Sequence, residues 1–150
     1  MSIENEKAWM EALQKNVESM FQRKLNMIRT AAFAAYRDIL VESPVDTGRF
    51  RSNWMISVGQ PNLATVEGSS KQKGQPMDGS ETTKANAALA EWGSDLTKGT
   101  IYISNSLPYA DRLENQNHSK QNSGFVARAK RNLATRLKAI DDITLDEVAR

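Results

Sequence analysis

The first forty residues carry an apolar pattern of helical period. Apolar side chains recur at spacings of three, four, seven or eight positions: Trp9, Leu13, Val17, Met20, Phe21, Ile28, Ala32, Tyr36 and Ile39. No glycine or proline interrupts residues 4–41, which predicts one helix of roughly 55 Å. A compact domain of this length is about 30 Å across, so part of the helix must project, bend or pack against another subunit. A break near Arg23 and Lys24 is the alternative.

An alternating pattern, typical of half-buried strands, follows this helix. Trp54, Ile56 and Val58 alternate with Asn53, Met55 and Ser57. A turn at 59–62 and a second strand at 63–67 complete a predicted hairpin within residues 50–67. Residues 100–105 predict a third strand, because two isoleucines there fall on one face.

Helices are predicted around this sheet. A mobile loop over 68–80 precedes a helix at 81–92, and a short helix at 108–114 precedes a longer one at 124–140. The longer helix has basic residues opposite its apolar face: Arg128, Arg131 and Lys138. The remaining residues, 141–150, read as an acidic tail whose capping-box pattern allows a short terminal helix.

These elements predict an α+β fold in a single domain, residues 1–150. It has a long N-terminal helix, a small antiparallel sheet of three to four strands, and C-terminal helices packed on one face. A sheet this small has an exposed edge, where a neighbouring subunit could add.

Charge is distributed unevenly, although the formal net charge is only +2. The stretch 112–138 contains one acidic residue, Glu114, and seven basic ones: Arg112, Lys120, Arg128, Lys130, Arg131, Arg136 and Lys138. Such asymmetry indicates a partner surface or a nearby polyanion. A solvated helix face, a nucleic-acid contact and a contact with an acidic neighbour all remain open. No apolar run is long enough for a membrane span.

Candidate catalytic chemistry is sparse. The chain has no cysteine and one histidine, His118, in a polar loop, so the usual zinc sites cannot be built. Glu91 and Glu114 are the candidate acids nearest to apolar neighbours, and a helix-end or interface charge explains each of them more simply. No phosphate-binding glycine motif occurs. We therefore expect no enzymatic activity, no metal and no cofactor.

The junction between the long helix and the first strand has a distinctive turn. Pro44 cannot continue a helix, Asp46 and Thr47 can bond to nearby amides, and Gly48 permits a conformation closed to other residues. With its neighbours this run resembles the signature of a family of tailed-bacteriophage head–tail joining, or tail-completion, neck proteins. The shared positions run from the turn to the last helix: Pro44, Val45, Asp46, Thr47, Gly48, Arg49, Ser52, Trp54, Asn105, Pro108, Tyr109, Ala110, Leu113, Glu114, Ser119, Gln121, Gly124, Phe125 and Val126.

The resemblance implies a structural protein of the virion, made in the host bacterial cytoplasm and placed in the neck as a ring of identical copies. Its partners would be itself, neighbouring neck, connector and tail proteins, and passing genomic DNA, with no membrane. Trp54, Tyr109, Leu113 and Glu114 would be structural anchors, and the turn would fix the angle between helix and sheet or touch another subunit directly. The runner-up is a nucleic-acid-binding accessory protein that uses the basic stretch 112–138. A hydrolase is a distant third.

Overall fold

The computed structural model describes residues 3–44, 48–67, 79–92, 99–115 and 124–149, without the side chains of residues 80 and 142–149. Its elements are α1 (Ile3–Glu42), α2 (Arg49–Ser52), β1 (Met55–Val58), α3 (Gly79–Glu91), β2 (Ile101–Ser104), α4 (Ala110–Asn115) and α5 (Phe125–Ala149). The fold is α+β and mostly helical, as predicted. The predicted turn residues Val45, Asp46 and Thr47, the loop residues 68–78 and His118 lie outside the described residues.

The N-terminal helix α1 is continuous over 40 residues. The prediction of a long helix is confirmed, and α1 passes through Arg23 and Lys24 without a break. It ends where Pro44 removes the N–H that a further turn would need. The buried side chains of α1 begin at Leu25, and none lies among residues 3–24. The C-terminal half of α1 is therefore a core helix, whereas its N-terminal half is not.

Among the described residues the sheet has two antiparallel strands, so the predicted count of three to four strands is not supported. β1 pairs with β2 in a register that places Ile56 opposite Ile103. The predicted hairpin partner, 63–67, forms no strand. A buried side chain replaces that ladder: Asn53 Nδ2 donates to the carbonyl of Val66 at 2.9 Å, and Asn53 Oδ1 accepts from the N–H of Val66 at 2.8 Å. The side chain of Asn53 thus satisfies the N–H and the carbonyl of Val66, which a second strand would have paired.

Three buried aromatic residues form the centre of the core. Phe50 of α2 meets Trp54 edge-on with ring centroids 5.8 Å apart, and meets Phe125 of α5 at 5.9 Å. Edge-to-face contacts of this kind suit the charge distribution of aromatic rings. Tyr36 and Leu40 of α1 belong to the same cluster. α2, the start of the sheet and the last helix are therefore held together by one packed group.

The last helix, α5, runs antiparallel along α1. Arg128 near its start contacts Glu42 near the end of α1, while Asp141 further along lies 3.3 Å from the Nζ of Lys24. α5 does not end at Ile140, where the sequence predicts an acidic tail, but continues to Ala149. No glycine or proline occurs within α5 to stop it.

Candidate assembly interface

The described residues on either side of the segment 45–47 are held by a short helix and by buried hydrogen bonds. Gly48 has φ 79° and precedes α2, and its carbonyl accepts the N–H of Ser52 at 3.0 Å. Ser43, at the end of α1, donates its hydroxyl to the carbonyl of Ile39 at 2.6 Å and accepts from the Nε1 of Trp54 at 2.9 Å. These bonds therefore hold the end of α1 against Trp54, directly before β1.

Trp54 connects three elements. Its carbonyl accepts the hydroxyl of Tyr36 at 3.1 Å, which joins the start of β1 to α1. Its ring lies edge-on to Phe125 at 6.3 Å, which joins it to α5. Tyr109 reaches the same group from the segment before α4, because its ring lies against Phe50 at 6.1 Å. All three aromatic residues among the positions of the resemblance, Trp54, Tyr109 and Phe125, thus belong to the core or pack against it.

Glu114 closes the start of α5. Its two carboxylate oxygens accept the N–H groups of Val126 at 3.1 Å and Ala127 at 3.0 Å, and its carbonyl accepts the N–H of Gly124 at 3.0 Å. A carboxylate at a helix N-terminus satisfies amides that have no partner within the helix and matches the helix dipole. The preceding Leu113 packs against the core cluster. The Leu-Glu pair and the Gly-Phe-Val start of α5, separated in sequence, are therefore one structural unit.

Two asparagines fix the loops around this unit. Asn53 is fully buried and, besides its bonds to Val66, donates to the carbonyl of Arg49 at 2.8 Å. Asn105 donates to the carbonyl of Phe50 at 3.0 Å. Asn105 appears among the signature positions, whereas no signal in the sequence points to Asn53.

A charged group is buried beside the turn. Glu81, in the first turn of α3, is 5% exposed. Burial raises the pKa of the Tyr36 hydroxyl to about 12, and the charge of Glu81 adds to this effect. Burial lowers the pKa of Arg51, and the same carboxylate opposes that change. The charge of Glu81 therefore acts on both α1 and α2.

The basic residues of α5 divide into two groups. Arg128 and Arg136 bond to acids of α1: Arg128 Nε lies 2.7 Å from a carboxylate oxygen of Glu42, and Arg136 lies 3.0 Å from Asp38. Arg128, which the sequence places on a contact face, is thus half-buried against α1. The second group, Lys130, Arg131 and Lys138, is exposed.

The N-terminal half of α1 presents a long apolar surface. We call residues 3–24 the arm, and six of its seven large apolar side chains, all except Ile3, the arm stripe: Trp9, Met10, Leu13, Val17, Met20 and Phe21. Trp9 is 64% exposed and Val17 is 57% exposed. An ordinary surface helix buries such a stripe against its own domain. This one is left largely uncovered from Trp9 to Phe21, about 18 Å of helix.

Two open depressions flank α3, and neither resembles a catalytic pocket. One is lined by residues of α1 and α3 and holds Arg29 as its titratable group, and the other lies beside β1 and holds Glu91. Catalytic sites usually gather two or more interacting titratable groups.

Within the described part of the chain, no group of three or more potential metal ligands occurs. The described helices also include none with the length and apolarity needed to cross a bilayer. Comparison with protein-family models, with curated proteins and with solved structures found no match to this chain.

Proposed function

We propose that this chain is a structural, non-enzymatic protein of the tailed-phage neck that joins the DNA-filled head to the tail as a ring of identical copies. The proposal starts from the signature residues between Pro44 and Val126, whose order resembles that of neck proteins. Where they are described, Gly48, Trp54 and Glu114 each set the direction in which the next element leaves. The roles of these residues are therefore structural rather than catalytic.

The observation that carries the proposal is the uncovered arm. Five of the six side chains, all except Met20, are about half exposed, which leaves on the order of 4–8 kcal/mol of hydrophobic free energy to be gained on burial. Contiguous exposed apolar surface of this extent marks a site of association. A monomeric protein would leave this apolar surface exposed to water, whereas a subunit of an assembly would bury it against a neighbouring subunit.

The core side of the molecule supports the same role. α1 is held to α5 by the contacts of Arg128 with Glu42 and of Arg136 with Asp38, and to β1 by the bond between Tyr36 and Trp54. The arm is therefore the extension of a helix that is anchored at its other end. Because its C-terminal half is fixed in the core, the helix can contact a neighbouring subunit in a defined orientation.

Charge supplies two different surfaces, as a ring with head-to-tail contacts requires. The start of the arm, residues 3–11, carries Glu4, Glu6 and Glu11 against one base, Lys7, and α5 exposes Lys130, Arg131 and Lys138. The acidic surface of one copy can therefore face the basic surface of the next. Connector and tail proteins would meet the remaining faces of the ring.

Genomic DNA passes through a neck, and the exposed basic residues of α5 could instead line its lumen. The alternative function, a nucleic-acid-binding accessory protein, uses the same residues. Binding of duplex DNA by the isolated protein would then weaken steeply with salt, because phosphate contacts release counterions. Our proposal expects self-association to exceed DNA binding at physiological salt. Tight, salt-sensitive DNA binding by a monomer would favour the alternative.

Disruption of the gene in the phage that encodes it tests the proposal. Electron microscopy of the lysate should show DNA-filled heads beside unattached tails. Supplying the wild-type chain from a plasmid should restore joined particles, and so should the Val41→Asp chain. Val41 is 57% exposed on α1 but lies outside the arm. The Val17→Asp chain, changed at equal exposure within the arm, should fail. Infectious particles without the gene would refute the neck function.

A further inference from the structure

The arm has a second pattern within its apolar stripe. Positions 6, 10, 13, 17, 20 and 24 alternate in steps of four and three residues, which is the spacing of a coiled-coil seam. The four inner positions are apolar, and the two outer ones are Glu6 and Lys24. These two charges are eighteen residues apart, which is about five helical turns. They therefore lie on one line along the helix, at opposite ends of the seam.

This seam is complementary to itself when two arms run antiparallel. Aligning Leu13 with the partner's Val17 also places Met10 beside the partner's Met20 and Glu6 beside the partner's Lys24. The twofold axis repeats each of these layers. Every apolar seam residue then meets an apolar residue, and both charges meet the opposite charge.

A parallel pair would lack this match. It would place Glu6 against the partner's Glu6 and Lys24 against the partner's Lys24, and like charges at seam positions oppose association. The flanking positions favour the antiparallel pair as well. There, Trp9 falls beside the partner's Arg23, where a guanidinium can lie over the indole ring.

We infer that two copies of this chain associate in solution through their arms, as an antiparallel two-helix coiled coil centred between Leu13 and Val17. The pair continues the packing inside each copy. Phe21 lies on the same face of α1 as Leu25 and Ala32, which are buried within the same copy of the chain. The partner's arm covers the helix beyond the point where that burial stops.

The surface needed for the pair is available. Lys24 contacts Asp141 at 3.3 Å, but the two side chains are 39% and 67% exposed, and such surface ion pairs contribute little. Lys24 can therefore turn to the partner's Glu6 without leaving a buried charge behind.

The pair is a contact between identical surfaces and closes on two copies. It does not by itself build a ring, so the inference does not depend on the neck function. In a neck protein, the pair would keep the arm stripe covered until assembly replaced one arm with another partner.

Sedimentation velocity of the purified full chain tests the pair through matched variants. The wild-type chain should be a dimer at micromolar concentrations. Val17→Asp should raise the dimer dissociation constant by about 100-fold or more, as expected for a charge at the centre of an interface. Val41→Asp should leave it unchanged. Glu6→Lys should weaken the dimer, and adding Lys24→Glu to it should restore association because the end layers again pair opposite charges.

Cross-linking tests the direction, because the chain has no cysteine of its own. A mixture of Met10→Cys and Met20→Cys chains should form mixed disulfides on mild oxidation. Met10→Cys alone should not, because its two sulfurs would be about 15 Å apart along the axis. Self-cross-linking of Met10→Cys, a wild-type chain that is monomeric at about 100 µM, or a dimer insensitive to Val17→Asp would each overturn the inference. None of these results involves the phage.

Discussion

Gly48 offers a sharp test of how the turn after α1 works. Its φ of 79° and ψ of −10° lie in the left-handed region, where a residue with a Cβ costs about 1–2 kcal/mol. Gly48→Ala should lower the free energy of unfolding by that amount. For a chain of this length, 1 kcal/mol corresponds to roughly 2–4 °C in Tm. We therefore expect a fall of about 2–8 °C, and a larger one for Gly48→Val because its branched side chain fits this region worst.

Two variants serve as controls for this prediction. Gly79→Ala changes the same residue type at the start of α3, where a Cβ would meet nothing within 4 Å. It should raise the free energy of unfolding by about 0.4–1 kcal/mol, since alanine restricts the unfolded chain and favours helix. Gly48→Asn should lose less than Gly48→Ala, because asparagine tolerates the left-handed region.

Urea unfolding followed by tryptophan fluorescence measures all of these variants, and Trp54 provides a buried probe. The reasoning fails if Gly48→Ala and Gly79→Ala shift the midpoint in the same direction. It also fails if Gly48→Val abolishes assembly while the melting temperature stays the same, because the turn would then be a contact surface rather than a bend.

Three further predictions concern the core. Glu114→Ala removes both bonds to the start of α5 and should lower the free energy of unfolding by about 1–2 kcal/mol in urea. Glu114→Gln, which retains one acceptor, should lower the free energy of unfolding by less. Equal losses in the two variants would contradict the role of Glu114 as a cap of α5. Trp54→Phe leaves the Ser43 hydroxyl without its donor and should be destabilising by about 1–3 kcal/mol, whereas a neutral result would mean that this bond is unimportant. The pKa of Tyr36 is raised from 10.0 to about 12 because the folded protein favours the neutral hydroxyl. The contribution of Tyr36 to the free energy of unfolding is therefore complete below pH 10 and is lost as the pH approaches 12. Unfolding measured across that range should show the decline, and Tyr36→Phe should flatten it.

The helices were predictable because their signals are local and repeated. α1 has nine apolar side chains at helical spacing and no interruption, so its existence does not depend on any distant contact. The sequence does not predict the extension of α5 beyond Ile140, because a run of acidic residues resembles a tail. A helix without glycine or proline continues through such a run when nothing stops it.

The sheet and the anchors depended on contacts between distant residues. Residues 63–67 alternate like a strand, but the side chain of Asn53 occupies the backbone groups of Val66 that a strand would use. An asparagine carries no mark of such a role in a sequence. The cap that Glu114 provides crosses to Val126 and Ala127, and local spacing cannot predict which helix a carboxylate will reach.

The location of the protein in finished particles tests the central claim most directly. Phage carrying a tagged copy of the chain would be purified, labelled with gold-conjugated antibody and imaged by electron microscopy. The proposed function predicts gold at the junction of head and tail, and on heads or tails separated at that junction. Gold on the capsid shell or the tail tip, or purified infectious particles without any of the protein, would contradict it.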